Sequence, residues 1–244
     1  MSFPSVQVIN VSKFIGGKLI IKNMSLSVYP GEILGLIGPN GAGKTTFIRI
    51  IATVLTPEKG QLYLMGIDTQ KAGPELRQKI GYMPEDAGHY LRLTAGENLK
   101  FYLSFYSTQN NTMIIEYFLR KLNLWQYKDL PVGKYSQGMK RKLLFIRSIL
   151  HTPFILLLDE PFTSMDPESR LTCRQIFKEY ICIEKRCIII SSHSLSELEN
   201  ICDRIVLISA GKKLLDEKVQ TVQKRYEKFT VNKLEDLYMT LIKR

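Results

Sequence analysis

The sequence "EILGLIGPNGAGKTTFIRI", residues 32–50, joins an apolar run, a glycine-rich turn and a second largely apolar run without interruption. Within it, "GPNGAGKT" fits the pattern G-x-x-x-x-G-K-[ST], which binds phosphate groups where it follows a strand and precedes a helix. Gly38, Gly41 and Gly43 allow backbone turns that are closed to residues with a Cβ, so successive N–H groups can point at phosphate oxygens. The stretch therefore predicts a phosphate loop between a strand and a helix.

The side chains of this loop suit a nucleotide that is bound together with a metal ion. Lys44 is expected to reach the β- and γ-phosphates, and Thr45 is expected to bind Mg²⁺ through its hydroxyl group. A glycine-rich turn without any ligand is the alternative. The nucleotide-binding residues predicted in the loop are Gly38, Pro39, Asn40, Gly41, Ala42, Gly43, Lys44, Thr45 and Thr46.

A second stretch, "ILLLDEP" at 155–161, supplies the acidic residues that phosphate hydrolysis requires. Its four apolar residues predict a buried strand that ends at Asp159 and Glu160, and open α/β sheets bind ligands at this end of their strands. Asp159 is the expected Mg²⁺ partner, directly or through water. Glu160 is expected to orient and deprotonate the attacking water. The alternative is a solvated strand end that carries no chemistry.

The order of apolar runs predicts a mixed α/β core that is interrupted by a helical segment. Residues 94–151 have a helical pattern, and Thr94 with Glu97 predicts a capping box at its start. Because the later strands are almost entirely apolar and alternate with a helix at 168–181, we expect a parallel sheet covered on both faces. The predicted strands are 6–11, 19–28, 32–37, 61–65, 154–159, 187–191 and 204–209.

Composition narrows the class of protein. The chain has 244 residues, of which 45% are apolar and 23% charged, which is typical of a globular protein with one elaborated domain or two joined lobes. No apolar run approaches the roughly 18–20 residues that cross a bilayer, and the start lacks a signal-peptide pattern, so we expect a cytoplasmic chain.

The formal charge of +11 is compatible with binding to nucleotides, to nucleic acid or to an anionic membrane surface, and also with a solvated basic surface that binds no partner. Reduced thiols without metal-binding spacing are expected at Cys173, Cys182, Cys187 and Cys202.

A third stretch, "YSQGMKRKLLFIRSIL" at 135–150, offers a second anion site in the same chain. Ser136 and Gly138 stand just before a predicted basic helix, and free N–H groups at a helix start attract anions. Followed by "ILLLDEP", this order of motifs resembles that of the ABC ATPases, in which the signature motif of one subunit closes over ATP held by the phosphate loop of another. The resemblance covers nearly the whole chain and implies two chains per catalytic site.

The resemblance implies a nucleotide contact for Ser136, Gln137 and Gly138 across a dimer interface. The serine hydroxyl and the Gly138 N–H can meet a γ-phosphate, as in the family. Arg141 and Lys142 are interpreted as residues that only solvate the helix. Departures from the commonest family signature, which has Leu, Gly and Gln there, are Tyr135, Gln137 and Met139.

Four further positions are assigned by resemblance to the family alone. Phe14 in "SKFIGG" is similar to the aromatic residue that stacks on adenine, with a core residue as the alternative. Glu85 stands where most of the family has Gln, as is frequent in the export-type branch, and its carboxylate can contact Mg²⁺ or position water. Asp166 in "SMD" resembles the distinctive residue of the loop that crosses the dimer interface. His193 in "SSHS" matches the switch histidine that contacts the γ-phosphate.

The resemblance also implies the architecture: a P-loop NTPase core with a largely parallel sheet, an N-terminal antiparallel β subdomain and an inserted helical subdomain. We expect an ABC ATPase domain at 1–220, with its helical subdomain at about 86–153, and a helical tail at 221–244. The tail is similar to those of drug, lipid or polysaccharide exporters. Its apolar residues at i, i+3, i+4 and i+7 are Leu234, Leu237, Tyr238 and Leu241.

These features predict an ATP-hydrolysing subunit, with ATP and Mg²⁺ as ligands, that dimerises with itself or a paralogue around two ATP molecules. We expect it to drive export through a separate membrane-spanning permease, on the cytoplasmic face of the membrane and without a nucleic-acid partner. One alternative is an ABC ATPase that acts on nucleic acid or the ribosome, which the charge of +11 keeps open. Another is a nucleotide-binding scaffold in which Glu160 is idle.

Overall fold

The computed structural model describes residues 3–86, 88–106, 112–183 and 186–226, and their strands lie in two sheets. The strands are β1 (Val6–Ile15), β2 (Lys18–Val28), β3 (Ile33–Ile37), β4 (Lys59–Leu64), β5 (Ile67–Asp68), β6 (Ile80–Met83), β7 (Ile155–Asp159), β8 (Cys187–Ser192), β9 (Arg204–Ser209) and β10 (Lys212–Lys218). The α-helices are α1 (Lys44–Ile51), α2 (Ala95–Leu103), α3 (Thr112–Lys121), α4 (Gln137–Ile149), α5 (Pro167–Ile181), α6 (Leu195–Leu198) and α7 (Val219–Tyr226). Short 3₁₀ helices occupy Pro74–Lys79, Trp125–Tyr127 and Val132–Lys134.

The two sheets differ in strand direction. The N-terminal sheet has the order β2-β1-β4-β5 and is antiparallel throughout. The second sheet has the order β10-β9-β3-β8-β7-β6, in which only β10 runs antiparallel to its neighbour. The predicted α/β fold, with a largely parallel sheet and an N-terminal antiparallel sheet, is confirmed.

The parallel sheet is covered on both faces because its central strands are apolar at almost every position. All residues of β3, β7 and β8 are buried. Along β7, Leu156 and Leu158 face a core formed with α2, α3, α4 and α5, whereas Ile155 and Leu157 face a core shared with α1 and the N-terminal sheet. This alternation is the period of two that places successive side chains on opposite faces of a sheet. Burial from both sides fixes the ends of these strands, where the candidate site lies.

The helical segment between β6 and β7 consists of α2, α3 and α4 with short 3₁₀ helices. The predicted capping box is present at α2, where the Thr94 hydroxyl accepts from the Glu97 N–H and the Glu97 carboxylate accepts from the Thr94 N–H. None of the helices in the described ranges is long and apolar enough to cross a bilayer. The apolar stripe predicted at 234–243 lies outside the described residues.

Sequence patterns miss two strands of the parallel sheet, β6 and β10, for different physical reasons. β6 contains Gly81, where a Cβ would lie 2.1 Å from the Ser148 carbonyl oxygen, so close approach of α4 replaces side-chain packing there. β10 reads "KKLLDEK" and forms the sheet edge, where its three lysines are exposed, and charged residues at an edge protect against further pairing. Both strands therefore lack the apolar pattern of the centre.

His151, at the end of α4, predicts a pH dependence of folding stability. Its Nε2 lies 3.0 Å from the Ile80 carbonyl oxygen, its ring stacks on Tyr106, and burial lowers its pKa to about 4. Because the unfolded chain binds this proton below pH ~6.5 and the folded chain does not, stability falls as the pH falls from about 6.5 to 4. The wild type should lose about 2 kcal/mol more than His151→Gln between pH 7 and 5. Urea unfolding at both pH values measures this difference, and parallel losses would contradict it.

Candidate active site

The phosphate loop, residues 38–45, begins after β3 and runs into the first turn of α1. Gly41 has φ 76° and Gly43 has φ 106°, a backbone conformation that residues with a Cβ rarely adopt. At Gly38 a Cβ would lie 2.2 Å from the Ile208 carbonyl oxygen. No side chain of the described residues caps α1, so the N–H groups of its first turn remain available to an anion. The loop therefore has the form of a phosphate cradle.

The Lys44 side chain lies inside this loop and contacts its carbonyl oxygens. The side chain is buried, and its Nζ donates to the carbonyl oxygens of Gly38 at 2.8 Å and Pro39 at 3.3 Å. The same Nζ lies 3.5 Å from Glu160 Oε1. The lysine ammonium is thus held at the centre of the loop, with Thr45 and Thr46 half-buried directly after it.

The end of β7 carries a buried carboxylate that is only half satisfied. Asp159 is fully buried, and its Oδ1 accepts from the Ser191 hydroxyl at 2.6 Å. Its Oδ2 is buried with no hydrogen-bond partner among the described residues. A buried carboxylate oxygen without a partner is unfavourable unless a cation or its water approaches it. This oxygen therefore fits the Mg²⁺ that the sequence predicts near Asp159.

Glu160 has φ 50°, a left-handed conformation that costs of order 1–3 kcal/mol for a residue other than glycine. Its N–H donates to the Ser191 hydroxyl at 2.9 Å. One carboxylate oxygen faces Lys44, and the other lies 2.9 Å from Nδ1 of His193, whose side chain is 59% exposed. The structure thus brings together three of the predicted site residues, with the carboxylate buried and the imidazole open to solvent.

Ser191 is a site residue that the sequence patterns miss. Its single hydroxyl group donates to the Asp159 carboxylate and accepts from the Glu160 N–H, so it joins β8 to the acidic end of β7. The strand pattern "CIIIS" predicts its position in β8. Only the pairing of β8 beside β7 shows what the hydroxyl contacts.

Phe14 and Glu85 lie on the surface, where ligand contact is open to them. Phe14 is 41% exposed on β1, which excludes the alternative of a core residue, and its N–H donates to the Glu58 carboxylate. Glu85 follows β6 and is exposed at a cavity that Gln137 and Thr163 also line. The cavity connects the Glu85 loop to the start of α4.

The signature stretch, residues 135–139, leads into α4 and forms its first turn. Ser136 is the N-cap, with its hydroxyl accepting from the Met139 N–H at 3.2 Å. Gly138 lies in the first turn rather than before the helix, and a Cβ there would be 2.7 Å from the Ser164 carbonyl oxygen. Ser136 and Gln137 are exposed. Tyr135, just before the cap, is buried and donates its hydroxyl to the Tyr127 carbonyl oxygen, whereas the exposed face of Ser136 and Gln137 is open to another molecule.

Asp166 is the N-cap of α5 and is paired within the chain. Its carboxylate accepts from the Ser169 N–H and hydroxyl, both at 2.8 Å, and lies 3.4 Å from Lys142 Nζ. Burial acts to raise the pKa of Asp166, but the Ser169 hydrogen bonds and the Lys142 ammonium outweigh burial and lower it. The carboxylate is therefore ionised across the neutral range and links α5 to α4.

The interpretation of Arg141 and Lys142 as solvating residues is wrong. Both side chains are 8% exposed, because α4 packs with this face against the loops that follow β6 and β7. Lys142 pairs with Asp166, and the guanidinium of Arg141 donates to main-chain oxygens of both loops. No periodicity in the sequence signals this arrangement, since the partners of Arg141 are backbone carbonyls.

Comparison with known proteins agrees with this geometry. A family model described as ABC transporter matches residues 21–163. The ATP-binding protein NatA of Bacillus subtilis (strain 168) is 35% identical over 198 residues, which cover 79% of each chain. The Nod factor export ATP-binding protein I of Burkholderia orbicola is 33% identical over 218 residues, covering 88% of this chain and 71% of that protein.

A solved structure described as the ATP-binding subunit of an ABC transporter has the same fold. It superposes with a TM-score of 0.86 at 24% identity, over 97% of this chain and 99% of that one. The family match, the two relatives and the phosphate loop with its acidic strand end confirm the family predicted from the sequence. The chain belongs to the ABC transporter family and is an ATP-binding subunit whose ATP hydrolysis is coupled to transport.

Proposed function

We propose that this subunit hydrolyses ATP at a site that a second ATP-binding subunit completes, and that the reaction drives export through a separate membrane-spanning permease. The observation that carries the proposal is the Glu160 carboxylate, which is buried between Lys44 Nζ and His193 Nδ1 at the mouth of the phosphate loop. This is the arrangement that a general base, a phosphate-binding cation and a γ-phosphate contact require.

The proposed binding step replaces contacts inside the loop with contacts to phosphate. Lys44 leaves the carbonyl oxygens of Gly38 and Pro39 for the β- and γ-phosphates, which are stronger, charged acceptors. Free backbone N–H groups of the loop and of the first turn of α1, as far as Thr46, surround the same phosphates in this proposal. The exposed ring of Phe14 stacks on adenine.

In the proposed hydrolysis, Glu160 accepts a proton from a water molecule while the water oxygen bonds to the γ-phosphorus. The bond from this phosphorus to the bridging oxygen breaks, and ADP leaves with the bond's electron pair. His193 holds the γ-phosphate on the open side of the site. Because Glu160 is buried and already contacts His193, both groups can act on one phosphate without a large rearrangement.

A magnesium ion fits the acidic end of β7. Asp159, through its unpartnered Oδ2, and the Thr45 hydroxyl are the proposed ligands, with Glu85 contributing directly or through water. When bound, the ion supplies positive charge to the phosphate oxygens. The residues of the chain orient ATP and move the proton.

In this proposal a second subunit completes the site because, within the part of the chain that the structure describes, Ser136 and Gly138 contact their own helix and Ser164 and not the phosphate loop of their own chain. Ser136, Gln137 and Gly138 present an open helix N-terminus, which suits the γ-phosphate held by a partner. We propose that Asp166, in the loop before α5, crosses the same interface. The partner is a second copy or a paralogous subunit.

The export direction rests on the relatives and on Glu85. The Nod factor protein is named as an export ATP-binding protein, and Glu85 matches the residue frequent in the export-type branch.

The proposed domain limits are 1–220 for the ABC ATPase domain, with a helical subdomain at about 86–153, and 221–244 for the tail. We place the subunit at the cytoplasmic face of the membrane, on its permease, with no nucleic-acid partner.

Ser136→Arg tests the composite site. The arginine side chain blocks the face that meets the partner's nucleotide, so turnover should be lost while ATP binding to the isolated subunit stays nearly intact. Steady-state hydrolysis and calorimetric ATP affinity measure the two effects.

A control variant separates interface blocking from the effect of an added arginine side chain. Ser104→Arg adds the same side chain at another exposed position, the C-cap of α2. This control should retain turnover. Normal hydrolysis by Ser136→Arg would contradict the composite site.

A further inference from the structure

The side chain of Arg141, in α4, lies between two loops and donates only to main-chain oxygens. A guanidinium has five N–H groups, and five carbonyl oxygens surround this one. Nη2 donates to Asp159 at 2.6 Å and Glu160 at 2.5 Å, Nη1 donates to Pro84 at 3.2 Å and Glu85 at 2.5 Å, and Nε donates to Pro161 at 3.4 Å. One side chain thus binds the backbone of the loop that follows β6 and of the loop that follows β7.

The contacts at Asp159 and Glu160 act where the backbone is strained. The chain bends at Glu160, which has φ 50°, and the carboxylate of this residue contacts both Lys44 and His193. Arg141 binds the carbonyl oxygens on both sides of that turn. Hydrogen bonds from a charged donor are stronger than neutral ones, so they can stabilise an unfavourable turn. Arg141 therefore helps to aim the carboxylate of Glu160.

The same residue belongs to the helix that begins at the signature stretch. Ser136 caps α4, and Arg141 lies little more than one turn later on a continuous helix. A hydrogen-bonded helix moves largely as a unit, so a shift of its N-terminus also moves the guanidinium. The start of α4 and the Glu160 turn are thereby connected through one side chain.

We propose that Arg141 is a positioning residue that transmits contact at the Ser136 end of α4 to the Glu160 carboxylate of the same chain. The inference rests on the proposed function, in which Ser136 meets the γ-phosphate held by the partner subunit. Each chain then aligns its own base when it engages the other chain's nucleotide. The two ATP sites of the dimer are coupled by this connection.

Arg141→Met and Arg141→Lys, made in the full-length chain, test the proposal. Met removes all five hydrogen bonds, and Lys keeps the charge but cannot form the planar fork. We expect kcat to fall about 10- to 100-fold with Met, the scale of a misaligned catalytic group, while KM and calorimetric ATP affinity stay within about threefold. Lys should give a smaller loss of kcat.

The decisive measurement combines Arg141→Met with Glu160→Gln. If Arg141 acts through Glu160, the double variant should hydrolyse ATP no more than about twofold slower than Glu160→Gln alone. If the two losses multiply, the proposal is wrong. Should Arg141→Met fail to fold, the same cycle with Arg141→Lys decides, and wild-type kcat in Arg141→Lys would also overturn the proposal.

Arg147→Met is the matched control on the same helix. Arg147 donates to the Gly88 carbonyl oxygen and the Tyr102 hydroxyl group, away from the Glu160 turn. The variant Arg147→Met should have a lower unfolding temperature, while its kcat per folded molecule stays within about threefold of wild type. A loss of kcat equal to that of Arg141→Met would show a general packing effect and overturn the proposal. The proposed function is tested separately: if the wild type hydrolyses ATP and Glu160→Gln does not, the proposed function is supported even where the Arg141 proposal fails.

Discussion

Lys44→Ala is expected to reduce ATP affinity by at least about 10²-fold, to the limit of calorimetric detection. Lys44 supplies the only side-chain charge in the phosphate loop, and hydrogen bonds to charged groups contribute about 1.5–3 kcal/mol each. The loop N–H groups remain in the variant, but they are neutral donors.

The structure adds a second effect of the same substitution. Without Lys44, the Glu160 carboxylate loses the cation that lies 3.5 Å away in the free subunit. The buried carboxylate then faces the γ-phosphate without an opposing charge, which adds repulsion. Both effects lower affinity, so the loss should exceed that of a surface lysine.

Lys213→Ala is the control for charge alone, because Lys213 pairs with Asp216 on β10, outside the phosphate loop. It should bind ATP like the wild type. Calorimetric titration of the two variants at one salt concentration compares them. Unchanged affinity in Lys44→Ala would overturn the assignment of residues 38–45 as the phosphate loop.

The sequence predicts those parts of the fold and site in which the residue type itself indicates burial or chemistry. β7 and β8 are predictable because strands buried on both faces are apolar at nearly every position. Lys44, Asp159 and Glu160 are predicted as site residues because the proposed chemistry needs those residue types at those points. The contact of Lys44 with Glu160 is consistent with β3 and β7, which are parallel strands that end at the same edge of the sheet.

Sequence reasoning fails where a residue acts on backbone atoms of distant segments. Arg141 looks like a solvated basic residue because its five acceptors are carbonyl oxygens, which every residue has. Ser191 is placed correctly in its strand, but its two partners depend on which strand lies beside it. Only the assembled sheet and the packed α4 show these roles.

Glu160→Gln is expected to slow hydrolysis by about 10²–10⁴-fold, the usual scale for one positioned proton-transfer group. Glutamine has the same size, so the turn at this residue and the contacts of its N–H with Ser191 can persist. ATP binding should survive because Lys44, Thr45 and Asp159 are untouched. The variant should therefore accumulate in the state before hydrolysis.

The amide should also favour the closed dimer. In the free subunit the Glu160 carboxylate lies 3.5 Å from Lys44 Nζ, so it competes with the γ-phosphate for that cation. A neutral amide competes less and repels the phosphate less. Lys44 is then freer to hold the phosphate that Ser136 and Gly138 of the partner contact, and ATP joins the two chains more tightly.

Size-exclusion chromatography with light scattering should show Glu160→Gln as a dimer with ATP and mostly a monomer with ADP. Glu179→Gln, which removes an exposed carboxylate paired with Lys121 on α3, is the control and should hydrolyse ATP like the wild type. A Glu160→Gln monomer under both conditions, well above the ATP dissociation constant, would contradict the role of Ser136 and Gly138 as half of a shared site. Normal hydrolysis by this variant would instead remove Glu160 as the base. The two measurements therefore test the assembly and the chemistry separately, because the first depends on the open face of α4 and the second on the turn at the end of β7.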